Sequence, residues 1–142
     1  MASEVRKWAF NVFRQKCVYC HRSLSLWGNT FNNLTLDHLV PRACGGQDHR
    51  DNYVAACPRC NRVKGNRELW EFLEYGDTRT EWTEEQAIQQ RLLRWSRFLK
   101  SMKSRHQKLS QTLQYRSLIA GRVPKEMDNE GNLLLPVQKS PD

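Results

Sequence analysis

Apolar residues open the chain at helical spacing: Val5, Trp8, Ala9, Val12 and Phe13 share one face, and Ser3 stands where an N-cap belongs. A short amphipathic helix delivering the chain into Cys17 is predicted. Positions 21–33 show no period and end in Asn32-Asn33, which reads as loop. Leu34-Thr35-Leu36 then alternates apolar and polar, a strand ending at Asp37-His38 and stopped by Pro41. Gly45-Gly46 permits a tight reversal, residues 47–51 are a polar loop, and Tyr53–Ala56 reads as a second strand antiparallel to the first. Pro58 suits the first turn of a helix that carries Cys60, Asn61 and Lys64 and ends at Gly65. Asn66 is placed to cap a further helix over residues 68–74, with Gly76 as its stop.

Past Asp77-Thr78-Arg79-Thr80 the pattern changes. Thr83 and Gln86 frame a capping box. After it Ile88, Leu92, Trp95, Leu99, Met102, His106, Leu109 and Leu113 recur at alternating four- and three-residue steps. That is heptad spacing with one polar member, His106, and it ends at Arg116. A helix over 83–121 would reach about 55 Å, and Gly121 and Pro124 stop it. The expected organisation is a small mixed unit at 1–76, a linker at 77–82, a long amphipathic basic helix at 83–121 and a flexible tail at 122–142. Within that tail Leu133-Leu134-Leu135 could dock on a surface.

Composition narrows the class. The 142 residues are one domain's worth, and five Trp and five Phe can fill a modest core despite a mean hydropathy of −0.78. The formal charge of +8 favours a polyanionic partner, nucleic acid or an anionic membrane surface. Residues 84–121 hold eight Lys or Arg against two Glu, so most of the basic excess falls on the predicted long helix. No apolar run approaches a membrane span, and the basic start lacks the apolar core of a signal peptide. The expectation is a cytoplasmic protein with no membrane partner.

In a reducing compartment paired cysteines are metal ligands or redox centres before they are disulfides, and an odd count of five argues against a full disulfide framework. Cys17-x-x-Cys20 and Cys57-x-x-Cys60 together make a thiolate set suited to a closed, structural, tetrahedral Zn²⁺ site. His21 is a poor further ligand, and Cys44 reads as a free thiol near the turn. Asp37 and His38 are adjacent on a strand and therefore point to opposite faces unless the strand end bends. Given such a bend, His38 could take a proton from water and Asp37 could ligate Mg²⁺; the plainer reading is a hydrogen-bonded structural pair. Asn61, one residue past a zinc cysteine, offers a neutral oxygen to a cation. Lys64, one helical turn on, could meet a phosphate.

Asp37-His38-x-x-Pro41, Gly45-Gly46, Asp51-Asn52 and Cys57-x-x-Cys60-Asn61-x-x-Lys64-Gly65-Asn66 together resemble the HNH endonuclease family, over about residues 6–73. That family includes phage and bacterial nucleases, restriction enzymes, homing enzymes and the HNH domain of RNA-guided nucleases. The resemblance implies an α+β fold: a zinc-bound ββα-metal core with a four-cysteine zinc site, flanked here by helices and the long basic helix. It implies a bacterial or phage-type setting and hydrolysis of phosphodiester bonds in DNA, leaving 5′-phosphate and 3′-hydroxyl ends. His38 would be the general base, Asp37 and Asn61 would hold one divalent cation (Mg²⁺ or Mn²⁺), and Asn52 would brace the loop that orients His38. Asn61 stands where other members carry His. Arg42 or Lys64 would add charge near the phosphate.

The rival class is a zinc-stabilised nucleic-acid-binding module without activity, and a thiol redox protein is a third. For the long helix three readings stand: packing on the small unit, self-association as a coiled-coil homodimer, and a basic face of Arg91, Arg94, Arg97, Lys100 and Lys103 gripping the backbone of DNA, double-stranded by expectation.

Overall fold

The computed structural model describes residues 3–28, 31–106 and 115–134, and the predicted elements follow one another in the expected order. Helix α1, Glu4–Val12, starts at Ser3, whose hydroxyl accepts from the Arg6 backbone N–H at 3.2 Å. Strands β1, Thr35–His38, and β2, Tyr53–Ala56, pair antiparallel, with Thr35 opposite Ala56 and His38 opposite Tyr53. Helix α2, Pro58–Lys64, follows directly, then α3, Leu69–Tyr75, and α4, Glu84–His106, with a last turn, α5, at Tyr115–Leu118. The fold is α+β: a ββα core with flanking helices.

The chain between the strands is shaped by two short 3-10 turns, Arg42–Cys44 and Arg50–Asn52. Gly46 is obligatory here, because a Cβ at this position would stand 1.7 Å from the carbonyl oxygen of Val40. Helix α3 departs from expectation at its start: Glu68 is the N-cap residue and makes no side-chain capping bond, and Asn66 lies outside the helix. The capping box of α4 forms as read, with Gln86 N–H donating to the Thr83 hydroxyl at 3.1 Å and Thr83 N–H to the Gln86 side-chain oxygen at 3.0 Å.

The long helix is not a free rod. Trp95, Phe98, Leu99 and Met102 are buried in the same core as Ala9, Val54, Leu73 and Phe72. Trp95, Leu99 and Met102 of the heptad stripe thus form a seam between α4 and the small unit, 0%, 1% and 1% exposed within one chain, and these residues are not free for the coiled-coil contact expected of them. Burying side chains of this size contributes about 1.5–3 kcal/mol each. Leu109 and Leu113 lie outside the described residues. Residues of the expected tail, as far as 134, lie against α4. Ser96 Oγ donates to the Gly131 carbonyl at 2.7 Å, and Gly131 lies so close that a Cβ would stand 2.6 Å from the Ser96 carbonyl. Lys103 pairs with Glu130 at 2.7 Å, and Met127 is buried.

Candidate active site

Two tight turns bring the cysteines together. The Cys17–Cys20 turn closes through His21 N–H onto the Cys17 carbonyl at 2.9 Å, and Cys57 is the N-cap residue of α2, its sulfur accepting from the Cys60 N–H at 3.3 Å. The four sulfurs lie within 4.8 Å of one another, with Cys20 and Cys57 at 3.8 Å. Zn–S bonds of about 2.3 Å in a tetrahedron require sulfurs ~3.8 Å apart, so the donor set fits zinc. Hydrogen bonding to Cys17 holds the Cys20 thiol down to about 6 and pulls the Cys57 thiol down as well. The Cys17 and Cys60 thiols are pushed up by the same set of bonds.

Asp37 and His38 both remain in β1, so the pleat sends them to opposite faces. Asp37 turns inward and is 3% exposed. Its carboxylate accepts from Tyr19 Oη at 2.5 Å, and the Lys64 ammonium lies 3.4 Å from each of its oxygens. Burial pushes the Asp37 carboxyl up and the Lys64 amine down from their ordinary values, and the attraction between them opposes both shifts. Lys64 also donates to the His38 carbonyl at 2.8 Å. With 1% of its surface exposed, Lys64 faces no solvent, which corrects the reading that it meets a phosphate.

His38 turns outward. Its Nε2 lies 2.7 Å from Asp48 Oδ1, and its ring sits edge-on to Tyr53 with centroids 5.0 Å apart. Asp48 is in turn held by Arg42, whose Nε reaches Oδ1 at 2.9 Å and whose Nη2 reaches Oδ2 at 2.5 Å. Asn52 braces the loop: its Oδ1 accepts from Val40 N–H at 2.9 Å, and its Nδ2 donates to the carbonyls of Val40 and Gln47, each at 3.0 Å. Asn61 lies on the inner side with Asp37, its Nδ2 donating to Thr35 Oγ1 at 3.0 Å.

The side chains that sequence reasoning passed over are Asp48, Tyr19 and Thr35. Tyr19 carried a signal, since it sits inside Cys17-x-x-Cys20 and is delivered wherever zinc places that turn. Of the basic side chains expected on DNA, several are spent internally. Arg91 bonds Glu74 at 2.8 Å, and Arg94 donates to the carbonyls of Leu73 and Glu74. Lys103 holds Glu130. Arg97 and Lys100 make no ion pair or side-chain hydrogen bond among the described residues.

Residues 17–67 match the family model described as HNH endonuclease. The match spans a little over a third of the chain, which there is similar to the HNH endonuclease family. The chain is similar to the CRISPR-associated endonuclease Cas9 of Corynebacterium diphtheriae, 46% identical over 52 residues, which cover 36% of this chain and 4% of that protein. It is also similar to the type IV methyl-directed restriction enzyme EcoKMcrA of Escherichia coli, 34% identical over 74 residues, 49% of this chain and 27% of that enzyme. Among solved structures, the type II-C Cas9 enzyme from Actinomyces naeslundii aligns with 76% of this chain and 13% of its own, at 23% identity and a TM-score of 0.41. The chain therefore spans a small part of each of these relatives. No helix among the described residues is long and apolar enough to cross a membrane.

Proposed function

We propose that this HNH domain is a nuclease that hydrolyses phosphodiester bonds in DNA, with His38 as its general base. The observation that carries this reading is the His38–Asp48 contact. A carboxylate only accepts, so the 2.7 Å bond assigns the proton to Nε2 and leaves the Nδ1 lone pair to take a proton from water. Base and orienting carboxylate are thus arranged as in other sites where a third group fixes the working tautomer. Tyr53 and the Asn52-braced loop keep the ring and Asp48 in register. Arg42, 68% exposed at its side chain, is the cation best placed to approach a phosphate beside His38.

Asp37 and Asn61 are hard oxygen donors on facing elements, β1 and α2, and they fit one Mg²⁺ or Mn²⁺ once Lys64 has withdrawn from Asp37. A cation held there supplies charge neutralisation at the phosphoryl group and the leaving oxygen. The rival reading, a zinc-stabilised binding module without activity, is favoured by the same carboxylate, which Tyr19 and Lys64 close off.

Incubation of supercoiled, linear and single-stranded DNA with the zinc-loaded chain and Mg²⁺ or Mn²⁺ separates the two. Cleavage leaving 5′-phosphate ends, lost in His38→Ala, is expected. No cleavage with either cation would refute the nuclease reading, and a His38→Ala variant as fast as the parent would refute His38 as its general base.

A further inference from the structure

The cations that α4 does not spend internally, Arg97 and Lys100, border two hollows whose linings do not include His38. A hollow of about 180 Å³ lies between the end of α1 and the middle of α4, bordered by Arg14, Lys16, His21, Lys100 and Ser101. A second, of about 110 Å³, is bordered by Cys20, Arg59, Trp82, Gln90 and Arg97. The two meet across the zinc turn, where Cys20 borders one and His21 the other, and along α4, where Arg97 and Lys100 are one turn apart.

None of Arg14, Lys16, Arg59, Arg97 and Lys100 has an ion pair or side-chain hydrogen bond among the described residues. Asp77 is the acid bordering either hollow, and Arg79 already holds it at 3.2 Å. Gathered like charges repel unless an anion joins them. The imidazole of His21 lies among them, bonded to the Arg97 carbonyl and the Ser101 hydroxyl, each at 2.9 Å. Zinc bound by four thiolates would carry two negative charges, which Arg59 and Arg97 can offset beside Cys20 and Cys60. Arg14, Lys16 and Lys100 remain in excess.

We propose that these side chains form a track for the phosphate backbone of nucleic acid, running over the zinc turn from Trp82 to Arg14. Trp82, 42% exposed at one end, offers a base a stacking surface, which favours a nucleic-acid strand over a lipid surface. Three cations left without partners along the track, beside Arg91, Arg94 and Lys103 of α4, which are bonded internally, give the backbone an electrostatic grip. This inference rests on the nuclease reading for its choice of DNA, and its test is independent of cleavage.

Binding of a fluorescent DNA duplex is measured across a salt series on the zinc-loaded His38→Ala chain. The track variant combines Arg14→Gln, Lys16→Gln and Lys100→Gln. A control with the same change in charge combines Lys7→Gln, Arg116→Gln and Lys125→Gln. The residues changed in both are exposed or half-exposed, and equal melting temperatures confirm that all chains fold. The track variant should bind about tenfold more weakly near physiological salt, with a salt slope shallower by roughly 2 to 3, and the control should change little. Equal weakening of both variants, or an unchanged slope in the track variant, would overturn the track. If the parent cuts no DNA while the track variant still loses binding, the nuclease reading fails and the track stands. If the parent cuts and the track variant binds and cuts like it, the track alone fails.

Discussion

Lys64 Nζ lies 3.4 Å from both oxygens of Asp37, and neither side chain is open to solvent. Removing one member of such a pair strands the other charge in the core. Lys64→Ala should therefore cost about 3–5 kcal/mol, read from denaturant unfolding of the zinc-loaded chain. Asp37→Asn should cost less, since its side-chain oxygen still accepts from Tyr19. In the double variant Asp37→Asn, Lys64→Met much of the loss should return, because no charge is left unpaired. Losses that simply add would show that the two groups are not coupled.

The same contact bears on cation binding. Lys64 already supplies Asp37 with a positive charge, so a divalent ion bound there, as proposed, would compete with the ammonium for one carboxylate. Lys64→Met, which keeps the apolar stem, should bind Mn²⁺ more tightly than the parent, and Asp37→Asn should bind it more weakly. Free Mn²⁺ measured by electron paramagnetic resonance gives both affinities without any turnover. A Lys64→Met chain with parental affinity would mean that the cation does not use Asp37.

Asn52 fixes the loop that carries Asp48 through its bonds to Val40 and Gln47. Asn52→Ala removes these bonds and leaves the Val40 N–H without its acceptor, at a cost of about 1–3 kcal/mol. The activity proposed for His38 should fall further than stability does, because Asp48 is then no longer held against Nε2. Asn52→Asp keeps an acceptor for Val40 N–H and loses the donor to both carbonyls, so it should recover part of the stability and little of the rate. Parallel measurement of unfolding and of plasmid nicking checks this, and equal activity in parent and Asn52→Ala would separate the loop from catalysis.

Much of this was legible in the sequence because it is local. Strand alternation, Pro58 in the first turn of α2, the Thr83–Gln86 box and the Cys-x-x-Cys spacings each depend on residues a few positions apart. What was not legible depends on partners far along the chain. Lys64 looked like a phosphate ligand because its spacing from Asn61 was visible and its burial against Asp37, 27 residues away, was not. The α4 stripe has a coiled-coil period whether its partner is a second chain or the zinc-bound unit, and periodicity alone does not choose between them. Asp48 carried no signal at all, being one acid in a polar loop until the turns on either side fold it onto His38.

Zinc binding offers a count that tests how far the cysteine site is built before the metal arrives. In the folded chain, hydrogen bonding within the cluster lowers the Cys20 and Cys57 thiols and raises the Cys17 and Cys60 thiols. A preformed cluster that already holds thiolate should then release fewer protons per Zn²⁺ at pH 7 than an unfolded chain, whose thiols, near their free value of about 8.5, should release nearly four. Because protons compete with the metal in either case, affinity falls as pH falls, and more steeply for the unfolded chain. Calorimetry in buffers of different ionisation enthalpy measures the number directly, and far-ultraviolet circular dichroism after chelation reports whether the metal-free chain is folded. A release clearly below four protons with helical signal retained assigns the geometry of the turns to the polypeptide. Nearly four protons with loss of helix assigns it to zinc, and His38 and Asp37 would then reach their positions only in the metal-bound domain.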